Sequence, residues 1–217
     1  MAEREESGLS ARKTPRQARS NQLVGDILTA AARVLAEQGA HRFTTARVAE
    51  RAGVSVGSLY QYFPNKASIL FRLQTDEWRQ NVDLLCGTLE DRSTPPLERL
   101  RRLVHAFVRS EREEAEMRVA LADAAPFYRD AALEHDPRDR AAVVLRDFMA
   151  EAAPNVGEDR REVAMETIKM TLSEMGRRIS EERDLSARSE IYADAVADMF
   201  CAYIASLSGD AYAATHN

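Results

Sequence analysis

The chain has 217 residues, 45% apolar and 30% charged, with a net charge of −5. That balance fits a water-soluble globular protein of one or two domains with a real core. No apolar run approaches the ~18 residues of a membrane helix, and the acidic, polar start MAEREESGLS lacks the character of a secretory signal; a cytoplasmic protein with no membrane partner is expected.

The charge is unevenly placed. Residues 11–70 hold nine Lys/Arg against three acids, a net of +6, whereas residues 71–217 hold 20 against 29, a net of −9. A basic end suits a polyanion and an acidic remainder repels one, so any nucleic acid should meet only the N-terminal part. Residues 1–19 read as a disordered arm carrying Arg12, Lys13, Arg16 and Arg19 beside Pro15. Such an arm either adds phosphate or minor-groove contacts or serves as a solubilising tail. A first helix is expected from about Ser20 to Gln38, with Val24, Ile27, Leu28, Ala31, Val34 and Leu35 on one face and Gly39 ending it.

Residues 39–66 organise the chain. Thr44 can cap a helix of about Thr45 to Arg51, Gly53 can end it with positive φ, and Ser55 can cap a second helix of about Val56 to Phe63. Val48, Ala49, Ala52, Val54, Leu59 and Phe63 would lock the two together. Such a helix-turn-helix places its second helix in a major groove. The outer residues Ser55, Val56, Gly57, Ser58, Tyr60, Gln61 and Tyr62 are small, hydrogen-bonding or aromatic, and none is acidic. Small first-turn residues admit a phosphate near free N–H groups. Gln61 can pair with an adenine edge and Val56 can touch a thymine methyl. The Tyr60 and Tyr62 hydroxyls can reach phosphates, and Asn65 can cap a third helix whose Lys66 reaches another.

The ordered run Gly39, Thr44-Thr45, Val48-Ala49, Ala52-Gly53-Val54-Ser55, Gly57-Ser58-Leu59-Tyr60, Tyr62-Phe63 and Asn65-Lys66 resembles the DNA-binding domain of the TetR (tetracycline repressor) family. The resemblance covers about residues 20–70, roughly a quarter of the chain. It departs from the family at Ala46, where some members carry a basic residue; Arg47 follows. It implies an all-α fold in two parts: a helix-turn-helix domain over residues 20–66 and a helical effector-binding and dimerisation domain over residues 67–217. It also implies a dimeric regulator, a repressor, that binds a palindromic double-stranded DNA operator and is released by an unknown small-molecule effector. The residues that would meet DNA are Thr44, Thr45, Arg47, Ser55, Val56, Gly57, Ser58, Tyr60, Gln61, Tyr62 and Lys66.

Beyond the head, a long helix from Lys66 to about Glu90 links the two parts, with Ile69, Leu70, Leu73, Leu84, Leu85 and Leu89 on its core face. After the Pro95-Pro96 turn, a helix is expected over about Leu97 to Ser110, then a kink or new helix from residues 111–116, then another over about Pro137 to Ala153. Two final helices, about Glu158 to Glu182 and Ser186 to Ser208, carry seams of helical spacing: Met165, Ile168, Leu172, Met175 and Ile179 on one, Tyr192, Val196, Met199, Tyr203 and Leu207 on the other. Seams of that kind suit helices packed lengthwise. The resemblance assigns them to a homodimer interface; the alternative is that both are used inside one chain.

An effector pocket is implied by the resemblance alone. Trp78, His105, Phe107, Met117, Phe127, Tyr128 and Met165 could line it, although each also reads as ordinary core. None of His41, His105, His135 and His216 has metal-ligand spacing, and Glu134-His135-Asp136 reads as a solvated loop. No nucleophile elbow, phosphate loop or dinucleotide fingerprint is present, so neither an enzyme nor a cofactor is expected. Cys86 and Cys201 read as buried thiols. The competing reading is a helical dimeric interaction or ligand-binding protein whose helix-turn-helix does not bind DNA.

Overall fold

The computed structural model describes residues 15–128 and 137–208. Among these residues are ten α-helices and one 3-10 turn. The first is α1 (Pro15–Arg42), which starts five residues before Ser20. Proline loses no hydrogen bond at a first helical position, so Arg16 and Arg19 belong to the helix and not to a disordered arm. Arg12 and Lys13 lie outside the described residues. Gly39 interrupts α1 with φ 74°.

Two short helices follow, α2 (Thr45–Ala52) and α3 (Val56–Tyr60). The second was expected to reach Phe63 but closes earlier. The N–H groups of Tyr62 and Phe63 both donate to Leu59 O at 3.0 Å, forming a turn. Pro64 explains this, because the residue before a proline is driven out of helical backbone. Asn65 caps α4 (Lys66–Leu89) through Ser68 N at 2.9 Å, and Ser68 Oγ completes a capping box.

The remaining helices are α5 (Pro96–Glu113), α6 (Ala115–Ala124), α7 (Pro137–Ala152), α8 (Glu158–Glu181), α9 (Arg183–Ala187) and α10 (Ser189–Ser208), with the 3-10 turn Ala125–Phe127 after α6. Glu114 (φ −107°, ψ 13°) separates α5 from α6, so the stretch after residue 111 forms a new helix. The last helix was expected from Ser186. Instead Arg188 (φ −109°, ψ 14°) leaves the helical path, and its carbonyl accepts from Ile191 and Tyr192 to start α10.

Packing divides the chain differently from the boundary expected after residue 66. One core joins Ile27, Val34 and Leu35 of α1, Val48 of α2, Leu59 of α3 and Ile69 and Leu70 of α4 to Ala120, Leu121 and Ala124 of α6. The other joins Val82, Cys86 and Leu89 of α4 to α5, α7, α8 and α10. Thus α4 crosses both cores, and α6 packs with the head. Leu121 is fully buried there, worth about 1.5–3 kcal/mol for a side chain of its size. No helix among the described residues is long and apolar enough to cross a membrane.

Candidate nucleic-acid interface and effector cavity

The head is built by its caps. Thr44 Oγ1 accepts from Arg47 N at 3.3 Å, and Ser55 Oγ accepts from Ser58 N at 3.0 Å. Gly53, at φ 68°, ends α2 in the left-handed conformation that glycine takes without strain. Val48, Ala49, Leu59 and Phe63 are buried between the helices, so α3 turns its other side outward. Val56 is 38% and Tyr60 49% exposed, with Ser55, Gly57 and Gln61 exposed beside them. Thr45 Oγ1 and Tyr60 OH lie 3.1 Å apart, pairing two hydroxyls across α2 and α3. A Cβ at Gly57 would meet only Ser55 Oγ, at 3.8 Å, so nothing inside the chain requires glycine there.

Besides the caps and the Thr45–Tyr60 pair, three of the DNA-facing residues singled out from sequence turn toward more distant parts of the chain. Arg47 Nη1 donates to Gln38 Oε1 at 2.7 Å and to the Arg42 carbonyl at 2.8 Å, which folds its guanidinium back onto α1. Tyr62 OH accepts from Ser20 Oγ at 3.4 Å. Lys66 Nζ sits 3.6 Å from the centroid of the Phe127 ring, so the start of α4 touches the 3-10 turn that follows α6 through a cation–π contact. Arg51 pairs with Glu37.

The pocket residues do not converge. His105 faces α10, with Glu190 at 3.6 Å and Asp194 at 3.3 Å. Phe127 lies under Lys66. Met117 borders a cleft between α1, α4 and α6, and Met165 a separate cleft between α7 and α8. Tyr128 is buried in the head core, and its hydroxyl lies 2.9 Å from both Gln74 Oε1 and Leu121 O. Burial and the Glu77 charge push its ionisation up to about 12. Trp78 and Phe107 share an open cavity. It measures ≈ 340 Å³, lies between α4, α5, α6 and α8, and is also lined by Glu77, Asn81, Glu111, Arg118, Val119, Ala122 and Ser180.

The polar side of this cavity escaped sequence reading. Arg118, from α6, donates to Glu77 on α4, to Glu111 on α5 at 3.0 Å and to Glu114 at 3.1 Å. Asn81 Oδ1 at 3.1 Å and Ser110 Oγ at 2.9 Å also accept from it. Glu77 further accepts from Gln74 at 3.0 Å and Asn81 at 2.6 Å, and Glu111 from Ser180 at 2.9 Å. Burial raises both carboxylates above their ordinary range, against the opposing pull of Arg118. Gly176 of α8 lets this wall close up: a Cβ there would lie 2.9 Å from both Glu111 Cδ and Phe107 Cζ.

The expected dimer seam is partly consumed inside the chain. Ile168 and Ile179 are buried in the second core, and Met165, Leu172, Met175, Val196 and Tyr203 pack against it. Tyr192 is half-buried, with the Arg188 guanidinium 5.7 Å from its ring. The apolar side chains left outside on these helices are Val163 and Met170 of α8 and Ile191 and Met199 of α10, each at least half exposed. A seven-residue step from Val163 to Met170 puts them on one face, rotated from the buried seam. Of the seam residues, Met199 alone stays on the outer face.

Among the described residues no group of three or more His, Cys, Asp or Glu could hold a metal. Glu134-His135-Asp136 and His216 lie outside the described residues. Cys86 and Cys201 are free thiols, both raised in pKa by burial.

Comparison with known proteins gives two family matches. Residues 27–73 match the bacterial regulatory proteins of the tetR family, and residues 95–207 match the tetracyclin repressor-like C-terminal domain. The fatty acid metabolism regulator protein of Bacillus subtilis (strain 168) is 34% identical over 68 residues, which are 31% of this chain and 35% of that protein. This alignment therefore spans about a third of the relative. The fatty acid degradation regulator FadR of Bacillus halodurans superposes with a TM-score of 0.66 at 20% identity, covering 88% of this chain and 97% of that one. FadR of Bacillus subtilis, solved in complex with stearoyl-CoA, gives 0.59 at 21% identity, covering 82% and 97%. At such identities the two structures speak for the fold alone.

Proposed function

The chain belongs to the TetR family of bacterial regulatory proteins, DNA-binding transcriptional regulators and not enzymes, and we propose that it is a cytoplasmic, homodimeric repressor released from a palindromic operator by a small molecule. The observation that carries the reading is the outer face of α3: exposed, free of acids, and holding a glycine at position 57 that no internal contact requires. Close approach of a DNA backbone supplies a reason for that glycine. Val56 and Gln61 read bases, while Thr45 and Tyr60 hold phosphate through their paired hydroxyls. Lys66 leaves Phe127 to reach a second phosphate. Arg47 acts through the backbone, steadying the start of α2 against α1.

One such helix reads too few base pairs for a genomic address, so two copies are needed, with their α3 helices about 34–36 Å apart. The Val163, Met170, Ile191 and Met199 face supplies an apolar surface for a second copy. Effector binding in the second core reaches the head through α4, which spans both cores, and α6, whose Leu121 is buried with the head. Only the difference in ligand affinity between the DNA-bound and released forms sets the extent of release. A long-chain acyl-CoA is one effector to test, since the Bacillus subtilis FadR was solved with stearoyl-CoA.

The test is selection of genomic fragments by the purified full chain, followed by sequencing and light scattering of the complex. Recovery of a short inverted repeat bound by two chains is the expected result. Failure to retain any duplex at low salt would instead favour a helical interaction protein whose helix-turn-helix is a vestige.

A further inference from the structure

We infer that the cavity between α4, α5, α6 and α8 takes an organic cation with an aromatic body, which competes with Arg118 for the carboxylates of Glu77 and Glu111. This rests on the effector reading above and adds the chemistry of the ligand. In the structure three carboxylates, Glu77, Glu111 and Glu114, face the single guanidinium of Arg118. Of the other charges, Arg177 and Glu181 pair with each other at 2.5 Å, and the Arg138 guanidinium, 4.4 Å from the Trp78 ring centroid, offsets only part of that excess. Glu77 and Glu111 are mostly buried, so an approaching charge interacts with them through little water.

The apolar part of the wall is Trp78, Phe107, Val119, Leu121 and Ala122, with the neutral polar side chains of Gln74, Asn81, Ser173 and Ser180 between them. Aromatic faces attract cations and stack on flat rings. An anion would have to enter beside the carboxylates of Glu77 and Glu111 and take Arg118 from both. A cation has only to replace Arg118. That occupant is incompletely satisfied where it sits: Arg118 Nε is buried and finds no acceptor among the described residues. A planar amidinium or guanidinium on the ligand reproduces the paired N–H groups that a carboxylate accepts from arginine.

The exchange also provides regulation. Arg118 ties α6 to Glu77 on α4 and to Glu111 on α5. Two to six residues further along α6, Ala120, Leu121 and Ala124 sit in the head core. Taking the carboxylates from Arg118 unties α6 at its cavity end while its other end stays packed on α1.

The probe is benzamidine, whose ring and amidinium match the two halves of the cavity. Benzamide is its neutral isostere, benzoate its anionic counterpart and stearoyl-CoA the rival. Calorimetry on the full chain measures binding, and emission of Trp78, the only tryptophan, locates it. Benzamidine should bind saturably, with benzamide and benzoate at least about tenfold weaker, the scale of one charge-assisted hydrogen bond. Glu77→Gln and Glu111→Gln, which preserve side-chain size, should each weaken benzamidine about tenfold. Arg118→Met should tighten it by removing the internal competitor.

Equal binding of benzamide, indifference to both glutamate variants, or absence of saturable benzamidine binding would overturn the inference. So would quenching of Trp78 by stearoyl-CoA without any effect of benzamidine. If the protein still binds duplex DNA in those cases, the ligand class alone fails. If it binds no duplex, the regulator reading fails with it.

Discussion

Gly176 and Gly25 are both helical glycines, and the structure predicts opposite results from the same substitution. Alanine in a helix interior is favoured over glycine by about 0.8–1 kcal/mol. At Gly25 on α1 an added Cβ meets nothing within 4 Å, so Gly25→Ala should gain most of that. At Gly176 the Cβ would lie 2.9 Å from Phe107 Cζ and Glu111 Cδ and 3.0 Å from Glu111 Cγ. Neither neighbour yields easily: Phe107 packs on the second core, and Glu111 is held by Arg118 at 3.0 Å and Ser180 at 2.9 Å. Overpacking of this kind costs about 1–3 kcal/mol, so it outweighs the helix gain and leaves a net loss of about 1 kcal/mol. For a chain of this length that lowers the melting temperature by about 2–4 °C, while Gly25→Ala raises it by a similar amount. Thermal melts followed by far-UV circular dichroism read both. If Gly176→Ala were stabilised as much as Gly25→Ala, the close approach of α8 to α5 at the cavity wall would be wrong.

Gly57→Ala should leave the melt unchanged or slightly raised, because its Cβ makes only an ordinary contact with Ser55 Oγ at 3.8 Å, yet weaken duplex binding in an anisotropy titration; unchanged affinity would mean that DNA does not approach there. Lys66→Ala should weaken all duplexes alike and lower the salt slope by about one, and an unaltered slope would remove that phosphate contact. Phe127→Ala frees Lys66 and should tighten duplex binding about two- to fivefold, the strength of an exposed cation–π contact; weaker binding would show that Phe127 positions the lysine instead. Burial raises Glu77 and Glu111 above their ordinary 4.5, so just above that pH the folded chain binds more protons than the unfolded one and loses stability as pH rises. Glu77→Gln removes one such group, so its melting temperature relative to wild type should climb with pH through that window; a constant difference would contradict the burial effect.

The head was legible because each of its turns is written in local chemistry. Thr44, Ser55 and Asn65 cap the helices for which their side chains suit them, and Gly53 takes the left-handed turn. The errors there were also local: Pro64 shortens α3, and Pro15 starts α1 early. The second part was legible as helices but not as a site. Glu77, Glu111 and Arg118 stand on three helices and look like solvated charges along the chain; only packing turns them inward. The seam of Ile168 and Ile179 was visible, but its spacing is the same whether the partner is α5 or a second chain. Val163 and Met170 stay outside on α8 while Gly176 meets α5 at close range, a contact that no pattern of hydropathy records.

The most direct measurement of the central claim is duplex binding by Gln61→Glu, beside wild type, on a fragment recovered by genomic selection. Gln61 is exposed on the acid-free face, so the substitution adds one negative charge where phosphate and base edges should lie, without disturbing the core. The expected result is an unchanged melt and a loss of affinity of at least about tenfold, the cost of one misplaced charged contact. Wild-type affinity in the variant would contradict it and place the DNA, if any, on another face.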